Sequence, residues 1–255
     1  ALAGAVAFGV GAAAQTLKTV QDRGSLLCGV HQGLEGFAIK DDKGQWSGFD
    51  ADFCRALAAA IFNDPSKVQY VPLSAAQRFD ALKSKQIDVL SRNSTWTLGR
   101  EEDSGIVFAG VTYYDGQAFL VPKSRNLQSA LELDGSTVCV QPGTTTEPNF
   151  TDYFDTNHMK SQIVHVGDAA DMIKAYEAGQ CNVMTTDESG LFAIRQQLAK
   201  PGDSMILPDV ISKEPLGPAV RQDDMQWFNL VKWVNFAMIN AEELGVSSKT
   251  IDDAL

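Results

Sequence analysis

The stretch Gln86-Ile-Asp-Val-Leu-Ser-Arg-Asn-Ser-Thr-Trp-Thr-Leu-Gly-Arg100 decides how this chain folds. It begins with a short apolar strand, Ile87 to Leu90, which is bounded by turn-type residues and is too short for a helix. A polar segment follows and closes with Arg100. Open α/β sheets bind ligands at the carboxyl ends of their parallel strands, and a guanidinium is a planar, charged partner for a carboxylate. The stretch therefore predicts a buried strand that leads into a carboxylate-binding turn.

The same pattern occurs again at Gln180-Cys-Asn-Val-Met-Thr-Thr-Asp187. When the two copies are aligned at their glutamines, Asp187 falls on Asn93, and each copy follows an amphipathic helical segment. One copy offers the cation of Arg100 and the other the anion of Asp187, and a zwitterion held between two lobes would need both. The alternative is two ordinary βα units of one sheet with solvated tips.

The composition is that of a globular protein. The chain has 255 residues, of which 44% are hydrophobic and 21% charged, enough for one large domain or two small ones. Its net charge of −11 argues against nucleic acid and against anionic lipid as partners. The charge does not identify a ligand.

The first residues look like the remnant of a secretory signal. Residues 1–17 carry no charge, and the apolar run Ala1 to Val10 leads to small residues just before Gln15. This is typical of a hydrophobic region and cleavage site without the basic start, and the run is too short to span a bilayer. We therefore expect residues 1–14 to be a signal-peptide remnant on an exported protein. The alternative is a buried alanine-rich helix.

The four cysteines have no spacing typical of a metal site, so no metal is expected. An even number in an exported protein indicates disulfides. Cys28 lies in a predicted strand and Cys54 in the next helix, which should pack on that strand; Cys139 and Cys181 lie in predicted strands of the second half. We expect the pairs Cys28–Cys54 and Cys139–Cys181. Four buried free thiols, as in a cytosolic protein, are the alternative.

Strands and helices alternate along the rest of the chain, which predicts an α/β fold. The strand Gln117 to Pro122 is expected to cross to a second lobe, and Ile211 to Val220, whose two prolines exclude a central strand, to run back. One lobe would then comprise residues 16–117 and 216–255 and the other residues 118–215, with a cleft between them.

Several helix starts can also be predicted. Asp50 and Ser74 are good N-caps for the helices that follow them. Thr144 and Glu147 have the spacing of a capping box. The acidic segment 101–105 is predicted to be a turn.

The chain contains several long motifs: Cys28-Gly-Val with Gly36-Phe, Trp46 to Leu57, Asp88 to Thr97 with Phe108 to Gly116, and Ile211 to Val220. In sequence and in order, these motifs resemble the periplasmic solute-binding proteins of polar amino-acid ABC transporters, and most closely the general L-amino-acid-binding subgroup. The resemblance covers nearly all of residues 16–255. It implies a two-lobed periplasmic-binding-protein fold of type II, with two crossover strands and a ligand cleft between the lobes. It also implies a periplasmic monomer that binds L-amino acids without a cofactor and passes them to an inner-membrane ABC permease.

The resemblance assigns the main-chain groups of the ligand to two sides of the cleft. Arg100 stands where the family binds the ligand carboxylate, and Thr95 where a hydroxyl and N–H hold the same carboxylate. Asn93 falls where an oxygen takes the ligand amine, and Asp187 matches the amine-binding acid.

Further contacts follow from the same comparison. Thr144 and Thr145 match the contacts of the second lobe, and Arg78 matches an arginine that acidic-ligand members use on the side-chain carboxylate. The two aromatic residues that enclose the ligand in many members correspond here to Leu34 and Ser74, so Trp96 is a candidate substitute. We therefore expect broad specificity that favours Glu, Asp, Gln and Asn over a long cationic ligand.

Two other functions use the same scaffold. One is an enzyme such as a cyclohexadienyl dehydratase, but the sequence shows no nucleophile constellation and no HExxH motif. The other is a sensor module that reports its ligand to a membrane receptor. His31, His158 and His165 do not cluster, and they are interpreted as structural or surface residues.

Overall fold

The computed structural model of the protein describes residues 15–247 and 249–251. The predicted signal remnant, residues 1–14, lies outside the described residues. In the described part of the chain, no helix is long and apolar enough to cross a bilayer. The helices are α1 (Thr16–Arg23), α2 (Phe49–Phe62), α3 (Arg78–Lys83), α4 (Leu98–Ser104), α5 (Thr146–Thr156), α6 (Ala169–Glu177), α7 (Glu188–Gln197) and α8 (Met225–Glu243). The strands are β1 (Leu26–His31), β2 (Ile39–Lys40), β3 (Trp46–Ser47), β4 (Val68–Leu73), β5 (Val89–Leu90), β6 (Ile106–Phe108), β7 (Tyr113–Asp115), β8 (Gln117–Pro122), β9 (Ser136–Val140), β10 (Ser161–His165), β11 (Val183–Asp187), β12 (Ser204–Ile206), β13 (Glu214–Leu216) and β14 (Ala219–Arg221).

Two five-stranded sheets share one plan. Their strand orders are β4-β1-β5-β14-β6 and β10-β9-β11-β8-β12. In each sheet the first three strands are parallel, and the fourth is antiparallel to both of its neighbours. The two strands recognised in the sequence, β5 and β11, therefore hold the third place in separate sheets. This confirms that the strand with its polar segment is repeated, and it contradicts the alternative of two units in one sheet.

The two sheets are joined by a ribbon of two short strands. In it, β7 pairs antiparallel with β13, and Glu214 lies opposite Asp115. The predicted first crossing, Gln117–Pro122, was placed one strand too late, because β8 pairs with β11 and β12 inside the second sheet. The return crossing lies within residues 211–220, as predicted, and Pro215 is tolerated because it sits in this narrow ribbon.

Each sheet has a core with one disulfide. Cys28 of β1 bonds Cys54 of α2, with their Cα atoms 6.3 Å apart, and Cys139 of β9 bonds Cys181, just before β11, at 5.6 Å. Both predicted pairs are confirmed, and the alternative of four free thiols is wrong. Closing loops of this length restricts the unfolded chain, which in the chain-entropy model is worth on the order of 3–4 kcal/mol per bond.

Asp50 and Ser74, the predicted N-caps of α2 and α3, do not cap these helices. The helix α2 begins after Gly48, so Asp50 lies in its first turn and accepts hydrogen bonds from a neighbouring turn instead. The cap of α3 is Gln77, whose side-chain oxygen accepts a hydrogen bond from the Ser74 hydroxyl at 2.8 Å. Ser74 therefore holds the cap residue and does not cap the helix itself.

The capping box and the predicted turn at 101–105 are also wrong. The Thr144 hydroxyl donates to the Gln141 carbonyl at 2.7 Å, and Glu147 bonds His165, so neither closes the start of α5. Residues 101–104 belong to helix α4, because the Thr97 hydroxyl caps that helix by accepting from the Arg100 N–H. Arg100 is thereby fixed in the first turn of a helix.

Candidate ligand-binding site

A cavity lies between the two sheets, where the carboxyl ends of their central strands face each other. Its first wall comes from β1, α3, the turn after β5 and α4. Its second wall comes from the turn after β9, the start of α6, the end of β11 and α7. The lining residues are His31, Leu34, Arg78, Arg92, Asn93, Thr95 and Arg100 on the first side, and Gln141, Thr144, Thr145, Thr146, Ala169, Met172, Thr186, Asp187, Gly190 and Ile194 on the second.

The structure brings seven of the eight candidate residues to this one cavity. Only Trp96 is absent from its wall: its ring stacks on Phe108, with centroids 5.8 Å apart, and the side chain is 38% exposed. The chain is extended here, since Thr95 forms a bridge with Leu216, and consecutive side chains of an extended chain point to opposite sides. Because Thr95 faces the cavity, its neighbour Trp96 faces away.

Three arginines give the first wall its charge, and two of them, Arg78 and Arg92, are buried. Arg78 is only 2% exposed and donates to the Gly143 carbonyl of the opposite wall at 3.2 Å. Arg92 donates to the Leu73 carbonyl at 2.9 Å, and Arg100 to the Thr95 carbonyl at 2.7 Å. None of the three has a carboxylate within ion-pair distance in the described part of the chain.

Burial and the neighbouring positive charges lower the pKa values of Arg78 and Arg92. Burial and then the charges of Arg92 and Arg100 hold the pKa of Arg78 well below its usual range. Burial lowers the pKa of Arg92 to about 10, although nearby Asp50 opposes the shift. Cations held away from water without an ion-pair partner favour binding of an anion.

Asp187 is the anionic counterpart on the second wall. It ends β11 and is 7% exposed, and its carboxylate makes no capping bond to α7. Burial, reinforced by Asp115 and Glu214, raises its pKa to about 8, against the opposing effects of Arg78 and Arg100. A carboxyl group in this state gains most from a cation placed beside it.

The turn that carries Asn93 is fixed by hydrogen bonds to Asp50. The Asn93 backbone adopts φ 27°, in the left-handed region. Asp50 accepts a hydrogen bond from the Asn93 N–H at 2.8 Å and another from the Ser91 hydroxyl at 3.2 Å. Burial raises the pKa of Asp50 to about 6. The predicted cap residue therefore shapes the cavity wall.

His31 was wrongly interpreted as a structural or surface residue, because it lines the cavity at the end of β1. Burial, and then the charges of Arg92 and Arg78, lower its pKa to about 3. The ring is therefore neutral at pH 7. Its Nδ1 accepts from the Gly33 N–H at 3.0 Å, so the proton is on Nε2 and His31 can donate a hydrogen bond. The strand-end rule used for β5 would have found it.

No group of His, Cys, Asp and Glu side chains within residues 15–247 and 249–251 is arranged to hold a metal ion.

Residues 26–250 match the family described as bacterial extracellular solute-binding proteins, family 3. The chain is 52% identical over 253 residues to the general L-amino acid-binding periplasmic protein AapJ of Rhizobium johnstonii, covering 98% of this chain and 74% of that protein. It is 48% identical over 242 residues to the glutamate/glutamine/aspartate/asparagine-binding protein BztA of Rhodobacter capsulatus, covering 95% and 72%. A solved ABC-transporter periplasmic binding protein from Brucella ovis with glutathione bound is 48% identical, with a TM-score of 0.91, covering 94% of this chain and 75% of that one.

Proposed function

Because the chain belongs to the bacterial extracellular solute-binding proteins of family 3, we propose that it binds free L-amino acids in this cavity and delivers them to an ABC permease. That family is one of binding proteins, and its similar members AapJ and BztA are named as binding proteins, not as enzymes. The single observation that carries the proposal is that Arg100 of α4 and Asp187 of β11, which belong to the two separate halves of the fold, line one cavity.

The two charges have opposite roles toward an amino acid. The Arg100 guanidinium binds the α-carboxylate, and the Asp187 carboxylate binds the α-ammonium. Asn93, Thr95 and the Thr144–Thr145 turn supply further polar groups, all of them on the cavity wall. A hydrogen bond to a charged group contributes about 1.5–3 kcal/mol. Two charge pairs and several polar bonds therefore reach the roughly 8 kcal/mol of a micromolar complex, after immobilisation costs.

The side chain of the ligand meets a wall of hydrogen-bond donors. Arg78 and Arg92 only donate, and neutral His31 donates through Nε2. Such a wall suits an oxygen acceptor, whether the carboxylate of Glu and Asp or the amide carbonyl of Gln and Asn. It disfavours a lysine or arginine side chain because like charges would be brought together in a dry site. The name of BztA lists these same four amino acids as its ligands.

The two lobes of the proposal are residues 16–117 with 216–255, and residues 118–215. They hinge at the ribbon of β7 and β13, and the ligand joins Arg100 to Asp187 when they close. The bond from Arg78 to the Gly143 carbonyl crosses the same gap at 3.2 Å. Closure gives the permease a ligand-dependent shape to recognise.

The protein acts in the periplasm as a monomer, with an inner-membrane permease as its partner. Two observations support this location. AapJ is named as a periplasmic protein, and two disulfides suit an oxidising compartment. The signal-peptide remnant proposed at residues 1–14 fits the same export route.

A second candidate ligand is glutathione, because the similar Brucella ovis protein was solved with glutathione bound. The γ-glutamyl end of glutathione carries a free α-ammonium and α-carboxylate, the same pair of charges as an amino acid. The same clamp of Arg100 and Asp187 would hold that end, and the rest of the tripeptide would extend past Arg78.

The test is a thermal-shift screen with the twenty amino acids and glutathione, followed by calorimetry of the hits. We expect L-Glu, L-Asp, L-Gln and L-Asn to raise the melting temperature most, and L-Lys and L-Arg least. Stoichiometric retention of unchanged ligand separates this proposal from an enzyme, which would form product. A screen without any amino-acid shift refutes the proposal.

A further inference from the structure

Glu214 lies at the centre of a hydrogen-bond cluster behind the cavity wall. It is on β13, it is 2% exposed, and it does not line the cavity itself. Its Oε2 accepts from the hydroxyls of Thr95 at 2.6 Å and Thr145 at 2.9 Å. Its Oε1 accepts from the Asn149 amide at 2.7 Å and from the Ser212 hydroxyl. One carboxylate thus joins the turn after β5, the turn before α5 and the ribbon between the lobes.

This cluster fixes which way two cavity hydroxyls point. An ionised carboxylate can only accept, and each threonine hydroxyl has a single proton to donate. Both protons are therefore used on Glu214. The two hydroxyl oxygens are 3.4 Å apart, but neither has a second proton for the other. Toward the cavity, Thr95 and Thr145 present only lone pairs.

We propose that Glu214 is a positioning residue that makes the Thr95 and Thr145 hydroxyls acceptors for the α-ammonium of the ligand. This inference rests on the proposed amino-acid binding and refines it. Together with the Asp187 carboxylate, which lines the same cavity, the two hydroxyls then accept hydrogen bonds from the ligand. The α-carboxylate is left to the guanidinium groups of the cavity wall, which can only donate. The resemblance to the family implied a different role for the Thr95 hydroxyl, which was to hold the ligand carboxylate.

The charge of Glu214 and its hydrogen bonds both favour a ligand ammonium in the cavity. Glu214 helps to raise the pKa of Asp187, and it supports the charged form of Arg100. Both effects place its negative charge close to the ligand site although it does not touch the cavity. A ligand ammonium bound beside Asp187 would gain from that charge, whereas an uncharged group at the same position would not.

The test uses the variant Glu214→Gln and two probes, L-glutamate and L-2-hydroxyglutarate, which differ in having an ammonium or a hydroxyl on the α-carbon. Glutamine has one acceptor oxygen where the carboxylate has two, and it carries no charge, so the threonine hydroxyls compete with other donors for a single oxygen and the negative charge near the ammonium is lost. We expect the preference for L-glutamate, measured as the ratio of the two Kd values by calorimetry and competition, to fall about tenfold or more. The control Glu101→Gln changes a carboxylate that accepts from the Phe108 N–H, away from the cavity, and should keep the wild-type ratio.

A second pair of variants covers the possibility that Glu214→Gln does not fold. Thr145→Ser keeps a hydroxyl at that position and should keep the preference for L-glutamate, whereas Thr145→Val removes the acceptor and should reduce it. If Glu214→Gln folds and keeps the wild-type ratio of the two Kd values, or if Thr145→Val keeps it, the proposed role of Glu214 is overturned. The proposed amino-acid binding would still stand in that case. A wild-type protein that binds neither L-glutamate nor any other amino acid overturns the proposed function and this inference with it.

Discussion

The pH dependence of binding follows directly from the state of Asp187. Its pKa in the unliganded protein is about 8, and the bound ammonium of an amino acid should lower it toward the ordinary range, because an opposite charge favours the ionised form. Binding then requires the ionised carboxylate and releases its proton. About 1% of Asp187 is ionised at pH 6 and about half at pH 8, so affinity should rise roughly fiftyfold between these values.

Calorimetry of L-glutamate binding at pH 6 and pH 8, in two buffers with different ionisation enthalpies, measures both quantities. We expect release of about one proton per ligand at pH 6 and about half a proton at pH 8. Asp187→Asn should bind weakly and lose the pH dependence. Asp50 has a pKa of about 6, so a slope that survives in Asp187→Asn would point to Asp50. Equal wild-type affinity at both pH values, without proton release, would refute the reasoning.

The raised pKa of Asp187 also makes the stability of the unliganded protein depend on pH. The pKa of Asp187 is raised in the folded state above its unfolded value of 3.8. Its contribution to stability is therefore fully present below that value and is lost as the pH rises through about 8. The melting temperature of the free protein should fall between pH 6 and pH 8.5, and the thermal shift produced by L-glutamate should grow over the same range. A constant shift would contradict the assignment.

Three further variants or treatments probe the site and the fold. Arg78→Met should weaken L-glutamate and L-glutamine by about tenfold or more, but L-alanine much less, because it removes a donor for the side chain; equal losses in calorimetry would argue against that role. Trp96→Ala should leave the Kd for L-glutamate within about twofold, since its ring packs on Phe108 outside the cavity; a large loss would place the ring in the site. A thiol reagent should find no free thiol in the denatured, unreduced protein, and four reactive thiols would disprove the disulfides.

The repeated strand and its polar tip could be predicted because both depend on short stretches of sequence. The strands β5 and β11 are apolar runs bounded by turn residues, and they hold equivalent places in two sheets. The disulfides could also be predicted, since Cys28 lies in a strand and Cys54 in the next helix along the chain, which packs on that strand. Patterns of this kind are local, or join neighbours in the chain.

Features that depend on distant contacts were missed. The role of Glu214 depends on its hydrogen bonds to Thr95 and Thr145, which are far away in the chain. The environment of His31 depends on Arg78 and Arg92 of other elements. Local cap rules failed where a tertiary partner was stronger, as at Asp50, whose carboxylate holds the Asn93 turn and does not cap its helix.

The most direct test of the charge clamp is calorimetry of L-glutamate with Arg100→Ala and with Asp187→Ala, beside the controls Arg55→Ala and Asp171→Ala, whose side chains lie away from the cavity. Circular dichroism and thermal melting verify the fold of all four variants. Each clamp variant should lose at least about a hundredfold in affinity, because the opposite charge of the ligand is left buried without a partner, while the controls keep the wild-type Kd. Wild-type affinity in both clamp variants would contradict the account.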